Sequence, residues 1–414
     1  MKIKVLELFG GIGACSKALE RLGIDYEIVD YVEIDKYAVK SFNAIHNTNF
    51  EPQDITTWDK DIKVDLIMHG SPCQDFSLAG KQAGGDKDSG TRSSLMYETI
   101  RIVEKLKPKY VIWENVKNLL SKKHKHNFDA YLETMEKLGY TNYYQVLNAK
   151  DYGIPQNRER VFTISIRNDL NKTFVFPPKQ ELKLKLKDML EDEVDEKYYL
   201  SDRMINFFYK NEQVQKEKGN GFRFNVTDGN VIAKTITTRA ESRMDDNFLK
   251  IKEATKKGYK EAFEGDGINI SSRMKYQRGN VQKESIQTLT TSGGNDRAVV
   301  LKSKCKRLES LVEKTDFEEG KVLNLDLYNQ TTNENISQCL TEPHHNSQRL
   351  FDGLRIRKLT PKETWRLMGF DDEDCYKAQN VNSNTQLYKQ AGNSIVVNVL
   401  ENILKNLINF DKGE

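Results

Sequence analysis

Three clusters of residues carry side chains suited to chemistry. In Gly70-Ser-Pro-Cys-Gln-Asp-Phe-Ser, Pro72 fixes the backbone just before Cys73 and a polar, glycine-containing stretch follows. That setting suits an exposed nucleophile, whereas a lone cysteine is more often a small buried hydrophobe, so both readings stand on this motif alone. His69 is the nearest histidine and serves equally well as a core residue, which leaves a cysteine-histidine protease without its partner. Trp113-Glu-Asn-Val places Glu114 at the end of an apolar run. A carboxyl group there is ordinarily a hydrogen-bonded structural acid; if desolvated, its pKa rises and it can hold or donate a proton near neutral pH. Gln156-Asn-Arg-Glu-Arg alternates Arg158 and Arg160. Such guanidinium forks bind phosphate or carbonyl oxygens bidentately, or else form a charged strand face paired through Glu159.

A fourth cluster is built from backbone. Phe9-Gly-Gly-Ile-Gly-Ala follows an apolar run and opens an amphipathic one, where bare amides can approach a ligand closely. Counted from Gly11 it reads Gly-x-Gly-x-x-Ser, which is not the dinucleotide fingerprint, and alone it is also compatible with a tight turn. Glu33 and Asp54 end the next two units. Acids at successive strand ends fit a nucleoside pocket, with Glu33 where a ribose hydroxyl is commonly bound.

The elements that must position these groups follow a strand-helix rhythm through the first 170 or so residues, predicting a Rossmann-like α/β domain with a mostly parallel sheet. Strands are expected at Ile3–Leu8, Tyr26–Glu33, Asp65–His69, Tyr110–Glu114, Tyr143–Leu147 and Arg160–Ile166, with helices at Cys15–Leu22 and Tyr97–Leu106. Residues 80–94 hold four glycines among polar residues and read as a surface loop. The texture changes after Pro177 and Pro178. Lys-Thr-Ile-Thr-Thr at 234–238, Gln-Thr-Leu-Thr-Thr at 287–291 and Gln-Cys-Leu-Thr-Glu at 338–342 then recur faintly, and Thr-rich runs favour strands. Thr360, Pro361 and Glu363 make a capping box for a helix that Gly369 ends, and a last helix covers Ile395–Ile408. These transitions put a boundary near residue 180, followed by a smaller mixed, β-rich region, and leave a last helix that must pack on something.

With 64 Lys and Arg against 61 Asp and Glu, a net charge of +3 announces no polyanion partner, so a nucleic-acid surface must be a local patch. Five cysteines without C-x-x-C spacing argue against a disulfide framework or a zinc site, and no metal is expected. The opening strand is no signal peptide and no apolar run reaches about 18 residues. A reducing, prokaryotic cytoplasm fits.

Taken together and in order, Phe9-x-Gly11-x-Gly13, Glu33, Asp54-Ile55, Pro72-Cys73-Gln74, Glu114-Asn115-Val116, Gln156-x-Arg158-x-Arg160, Arg357 to Phe370 and Gln390-Ala-Gly-Asn-Ser-Ile resemble the DNA cytosine-5 methyltransferases. The resemblance spans both ends of the chain and leaves the middle unmatched. It implies S-adenosylmethionine as cofactor, contacted by Phe9, Gly11, Gly13, Glu33 at the ribose, Ile34 in place of an aromatic residue, Asp54 at the adenine amino group, Ile55, Pro72, Leu95, Asn393 and Ser394. It implies Cys73 as the nucleophile at C6 of a flipped cytosine, Glu114 holding a proton at N3, Arg160 on the carbonyl oxygen and Arg158 assisting. The resemblance implies a catalytic and cofactor-binding domain (1–178), a target-recognition domain (179–353), a small-domain or hinge segment (354–389) and a C-terminal helix returning to the catalytic domain (390–414), with Thr235-Ile236 and Thr288-Leu289 as Thr-Leu-type pairs and Cys339-Leu340 a degenerate third. Contacts with double-stranded DNA are expected from Gln74, Ser77, Lys81, Arg92, Arg239 and Arg297, in a monomer serving restriction-modification, with a cognate endonuclease as potential partner, or phage self-protection. Two rivals remain: a tRNA cytosine-5 methyltransferase using the same motif set, against which the long middle region argues, and a non-catalytic DNA-binding regulator on the same scaffold, against which Cys73, Glu114 and Arg160 argue.

Overall fold

Apolar runs and amphipathic stretches sort into strands and helices where their periods predict. The computed structural model describes residues 2–72, 95–220, 223–238, 246–252 and 354–408, together with short strands at 267–269, 280–282, 297–299, 323–326 and 331–334. Two compact units emerge: residues 1–198, 219–249 and 357–414 form the first, and 199–218 with 250–356 the second.

The first unit is organised by a six-stranded sheet of β1 (Ile3–Leu8), β2 (Tyr26–Val32), β3 (Leu66–His69), β4 (Tyr110–Val116), β5 (Tyr140–Asn148) and β7 (Glu159–Arg167), in the order β2-β1-β3-β4-β7-β5. The short β6 (Gln156–Asn157) lies apart from it. Strands β2, β1, β3 and β4 are parallel, whereas β7 runs antiparallel to both β4 and β5. The sheet is thus mixed, not simply parallel. The ten residues from 149 to 158 are too few for the crossover of a dozen or more that a parallel return requires, so β7 must double back on β5.

The helices bury both sheet faces. Leu6, Leu8, Ile67, Val111 and Trp113 pack into one core with Met96, Ile102 and Val103 of α3 (Met96–Leu106) and Phe128, Tyr131 and Met135 of α4 (Lys125–Lys137). Across the sheet, Glu7 of β1 faces α1 (Ala14–Arg21), which packs on the last helix, α9 (Val397–Ile408). Thr360 and Glu363 form the expected capping box of α6 (Pro361–Arg366), and the Glu363 carboxylate also receives the buried Arg357 guanidinium at 2.8 Å. Helices α2 (Lys36–His46), α7 (Asp372–Gln379) and α8 (Asn384–Asn393) also belong to this unit, and β8 (Val226–Thr227) pairs in parallel with the start of β10 (Phe248–Lys252). Among the described residues, no helix is long and apolar enough to cross a membrane.

The described parts of the second unit include α5 (Asp202–Glu217), capped by Ser201, and short antiparallel pairings. Gly267–Asn269 lies between Asn280–Gln282 and Arg297–Val299, and Leu323–Asp326 pairs with Thr331–Glu334. Arg297 thus opens a strand. Thr288-Leu289, Cys339-Leu340 and Arg239 lie outside the described residues.

Candidate active site

The antiparallel turn of β7 brings the charged groups together. Because β7 runs backwards beside β4, its first residues meet the carboxyl end of β4, with Arg160 opposite Val116 and Phe162 opposite Glu114. From there Arg160 Nε reaches Glu114 Oε1 at 3.0 Å. Glu159 pairs instead with Lys117 at 3.0 Å, so it does not neutralise either arginine of the motif. Burial raises the Glu114 carboxyl above the ordinary range, while the Arg160 and Arg158 charges pull it back.

The same strand end fixes the chain that leads to Pro72. Trp113 Nε1 donates to Ser71 Oγ at 3.0 Å and Asn115 Nδ2 to Ser71 O at 3.3 Å, so the residues flanking Glu114 fix the chain just before Pro72. A Cβ on Gly70 would lie 3.8 Å from Glu114 Oε2, which sets that carboxylate against the end of β3. Cys73, Gln74, Ser77, Lys81 and Arg92 lie outside the described residues. His69 is a core residue: it is fully buried, stacks on Trp113 with ring centroids 5.6 Å apart, and meets Tyr131 Oη at 3.2 Å. Burial pushes its pKa down to about 3, so it stays neutral near pH 7.

On the parallel side the site is made of backbone. Gly13 caps α1 at φ 81°, and a Cβ there would stand 2.2 Å from His46 Nε2, so only glycine fits this turn. Gly11 is the opposite case, with open space where a Cβ would be. Its N–H donates to Glu33 Oε2 at 3.2 Å, and the Asp35 N–H donates to Glu33 Oε1 at 2.9 Å. Burial raises the Glu33 pKa against these bonds. Next to it Ile34 is 68% exposed, an apolar side chain left facing solvent at the rim of a polar turn. Phe9 takes a left-handed conformation at φ 53° while its side chain packs on the core, and Leu95 packs there too as the cap of α3. Asp54 caps its own turn through Thr56, and Ile55 is buried.

These observations are joined by likeness to known proteins. Residues 3–409 match the family model described as C-5 cytosine-specific DNA methylase. The chain belongs to this family. It is 33% identical to the orphan methyltransferase M.SPRI of Bacillus phage SPR, covering 98% of both chains. It is 32% identical to the type II methyltransferase M2.ScrFI of Lactococcus lactis subsp. cremoris, covering 98% of this chain and 99% of the relative. Its fold is similar to that of the Entamoeba histolytica methyltransferase EhMeth, with a TM-score of 0.59 at 16% identity over the whole of both chains. The DNA reading therefore stands ahead of tRNA, and the chain is a cytosine-5 DNA methyltransferase.

In this methylase several residues support the site without any motif to announce them. Asp30, buried inside β2, accepts hydrogen bonds from the Tyr31 N–H, Gln53 Nε2 and Trp58 Nε1, and its Oδ2 pairs with Lys60 Nζ at 2.7 Å. Arg101 Nη2 donates to the Ile55 and Trp58 carbonyls at 3.0 and 2.9 Å. The loop carrying Asp54 is thus clamped from two sides. An acid inside a Val- and Ile-bearing strand was the only sequence signal for it. The C-terminal segment also reaches this side: Gln390 Nε2 donates to Tyr37 O at 3.0 Å and Lys389 Nζ pairs with Asp35 Oδ2 at 2.6 Å. Asn393 ends α8 exposed, with Ser394 buried behind it. The buried Arg158 guanidinium donates to the backbone carbonyls of Ile236, Gly392 and Ser394.

Proposed function

We propose that this methylase extrudes a cytosine from double-stranded DNA, adds the Cys73 thiolate to C6 of its ring and methylates C5. The Glu114–Arg160 pair carries this reading, because it sets a buried proton holder and a guanidinium at the strand end that continues, in β3, toward Pro72-Cys73.

S-adenosylmethionine is the cofactor that suits the parallel side. The open face of Gly11, the carboxylate of Glu33 and the exposed Ile34 offer a bare backbone, a ribose acceptor and an apolar plate side by side. Glu33 would take the ribose, Asp54 the adenine amino group and Ile34 the adenine face, with Phe9, Pro72, Leu95 and the Asn393-Ser394 turn completing the site. When bound, it supplies an electrophilic methyl group.

The protein's own groups manage charge and protons. Ring carbon C5 of cytosine is a poor nucleophile until a thiolate adds at C6 and makes the ring enamine-like. That addition places negative charge on the ring, which Glu114 relieves by holding a proton at N3 while Arg160 anchors the carbonyl oxygen. A free thiol with a pKa of about 8.5 offers only a few per cent thiolate at neutral pH, so the bound base must complete its activation. Loss of the C5 proton to a base then expels Cys73 from C6 and restores aromaticity. Extruding the base costs about a few kcal/mol, offset by the pocket contacts.

We assign recognition of the surrounding sequence to residues within 179–353, and the biological role to restriction-modification or phage self-protection. Bisulfite sequencing of DNA from cells expressing the chain tests the reading. Protected cytosines should recur in a defined sequence context; unprotected DNA alongside newly methylated tRNA would reverse it.

A further inference from the structure

Four and two residues upstream of Arg160, a pair of buried side chains grips a distant piece of backbone. Gln156 Oε1 accepts the Ile236 N–H at 3.0 Å, and its Nε2 donates to Leu367 O at 2.7 Å. Arg158 Nη1 donates to Ile236 O at 2.9 Å, and its Nη2 to Gly392 O and Ser394 O at 3.0 and 2.8 Å. Both backbone polar groups of Ile236 are therefore held by side chains of one short segment. Thr235 Oγ1 adds a bond to Asn157 O at 2.6 Å, and β6 pairs in parallel with β9 (Ala233–Lys234).

On the far side, α8 ends in direct backbone contact with the same piece. A Cβ on Gly392 would lie 2.3 Å from Thr237 C and Thr238 N, and no side-chain movement could relieve that. An arginine that is 3% exposed is a costly way to satisfy three carbonyls unless their mutual position matters, since a fixed planar fork holds several acceptors in one geometry and an ammonium does not.

We propose that Arg158 is a positioning residue of the methyl-transfer site, locking Ile236–Thr238 to the Gly392–Ser394 turn so that one seam sets both the Arg160–Glu114 pair and the Asn393-Ser394 turn. The inference rests on the reading above, in which the former faces the flipped base and the latter the cofactor. Arg158 reaches the turn through the Gly392 and Ser394 carbonyls, and its charge also lowers the Glu114 pKa. It acts by fixing where β7 begins and where the turn after α8 stands, so a loosened seam displaces both sets of contacts together. The backbone contact at Gly392 joins the same two pieces without any charge, which offers a second way to open it.

The test uses the purified full-length chain with duplex DNA and S-adenosylmethionine, comparing Arg158→Lys, Gln156→Ala, the double variant and Gly392→Ala with wild type. For Arg158→Lys we expect KM for S-adenosylmethionine to rise about tenfold and kcat to fall about tenfold or more in folded protein. Gly392→Ala should reproduce the same split. Because Gln156 and Arg158 hold one residue, the double variant should lose no more than about threefold beyond the worse single variant. A merely structural arginine would lower kcat in proportion to the folded fraction and leave both KM values unchanged; that result overturns the proposal. Should Arg158→Lys not fold, Gln156→Ala is judged by the same split. An inactive wild type would instead defeat the underlying reading, whereas an active wild type, an inactive Cys73→Ser and a kinetically normal Arg158→Lys would defeat the seam alone.

Discussion

The two halves of the sheet build their parts of the site by different means. In β2-β1-β3 the strands are parallel, so every strand end and the turn after it emerge at one edge. The groups found there are mostly backbone: the Gly11 amide, the capping turn at Gly13, and Glu33 bound to main-chain N–H groups. In β4-β7-β5 the directions alternate, so the end of one strand meets the beginning of another. The groups there are charged side chains far apart in sequence and paired by register, Glu114 with Arg160. Both halves desolvate a carboxyl group, yet only Glu114 has cations to offset its burial. The parallel half is suited to cradling a ligand and the antiparallel half to managing charge.

The sharpest way to break this division is at the proposed nucleophile. Cys73→Ser should abolish methylation, by about 10⁴-fold or more in kcat, while S-adenosylmethionine binding measured by calorimetry stays within about threefold. Residual turnover near wild type would sink the nucleophile, and lost cofactor binding would show that the halves are not separable. Glu114→Gln is expected to follow. An amide cannot hold a transferable proton and leaves Arg160 without its counter-charge, so kcat should fall about 10²–10⁴-fold in single-turnover assays. Cofactor affinity should again be preserved, because Glu33 and Gly11 belong to the other half.

What could be read from the chain divides along the same line. The strand positions, the Gly13 turn, the Thr360–Glu363 capping box and the acids at strand ends are local patterns, and each appears within a few residues of where the sequence puts it. Strand direction is a long-range property. It escaped the strand pattern of residues 143–166, although the short connection between β5 and β7 contained the answer. Arg158 and Arg160 look equivalent in sequence because alternation says only that they share a strand face; burial and partners separate them into a backbone clamp and the partner of Glu114. Asp30 and Arg101 were invisible because their work is to hold a loop whose own motif is a single aspartate.

A smaller effect concerns pH and the parallel half. Glu7 is fully buried beneath α1, where burial pushes its pKa up to about 7 against bonds from the Ser16 hydroxyl and N–H. An acid whose pKa is raised on folding favours the folded state fully below its ordinary value of 4.5, and that contribution is lost as pH rises through 7. Glu7→Gln keeps the acceptor for Ser16 and removes the titration. Comparing urea unfolding at pH 5 and pH 8, wild type should lose roughly 1–3 kcal/mol more than the variant across that interval. Equal losses would mean that the Glu7 environment does not hold the proton.

The smallest effect should come from Ile34, and it tests whether the parallel half is a ligand cradle at all. A side chain that is 68% exposed contributes little to folding, so Ile34→Ala should change stability by no more than about 0.5 kcal/mol in urea. If the side chain instead covers the adenine face, losing its outer carbons removes about 1 kcal/mol of apolar contact, a roughly fivefold weaker S-adenosylmethionine Kd by calorimetry. A larger apolar residue should restore it, with Ile34→Phe binding at least as tightly as wild type. Unchanged affinity in both variants would leave an exposed isoleucine at the rim of the turn with no ligand to cover it, and would move the adenine site away from the end of β2.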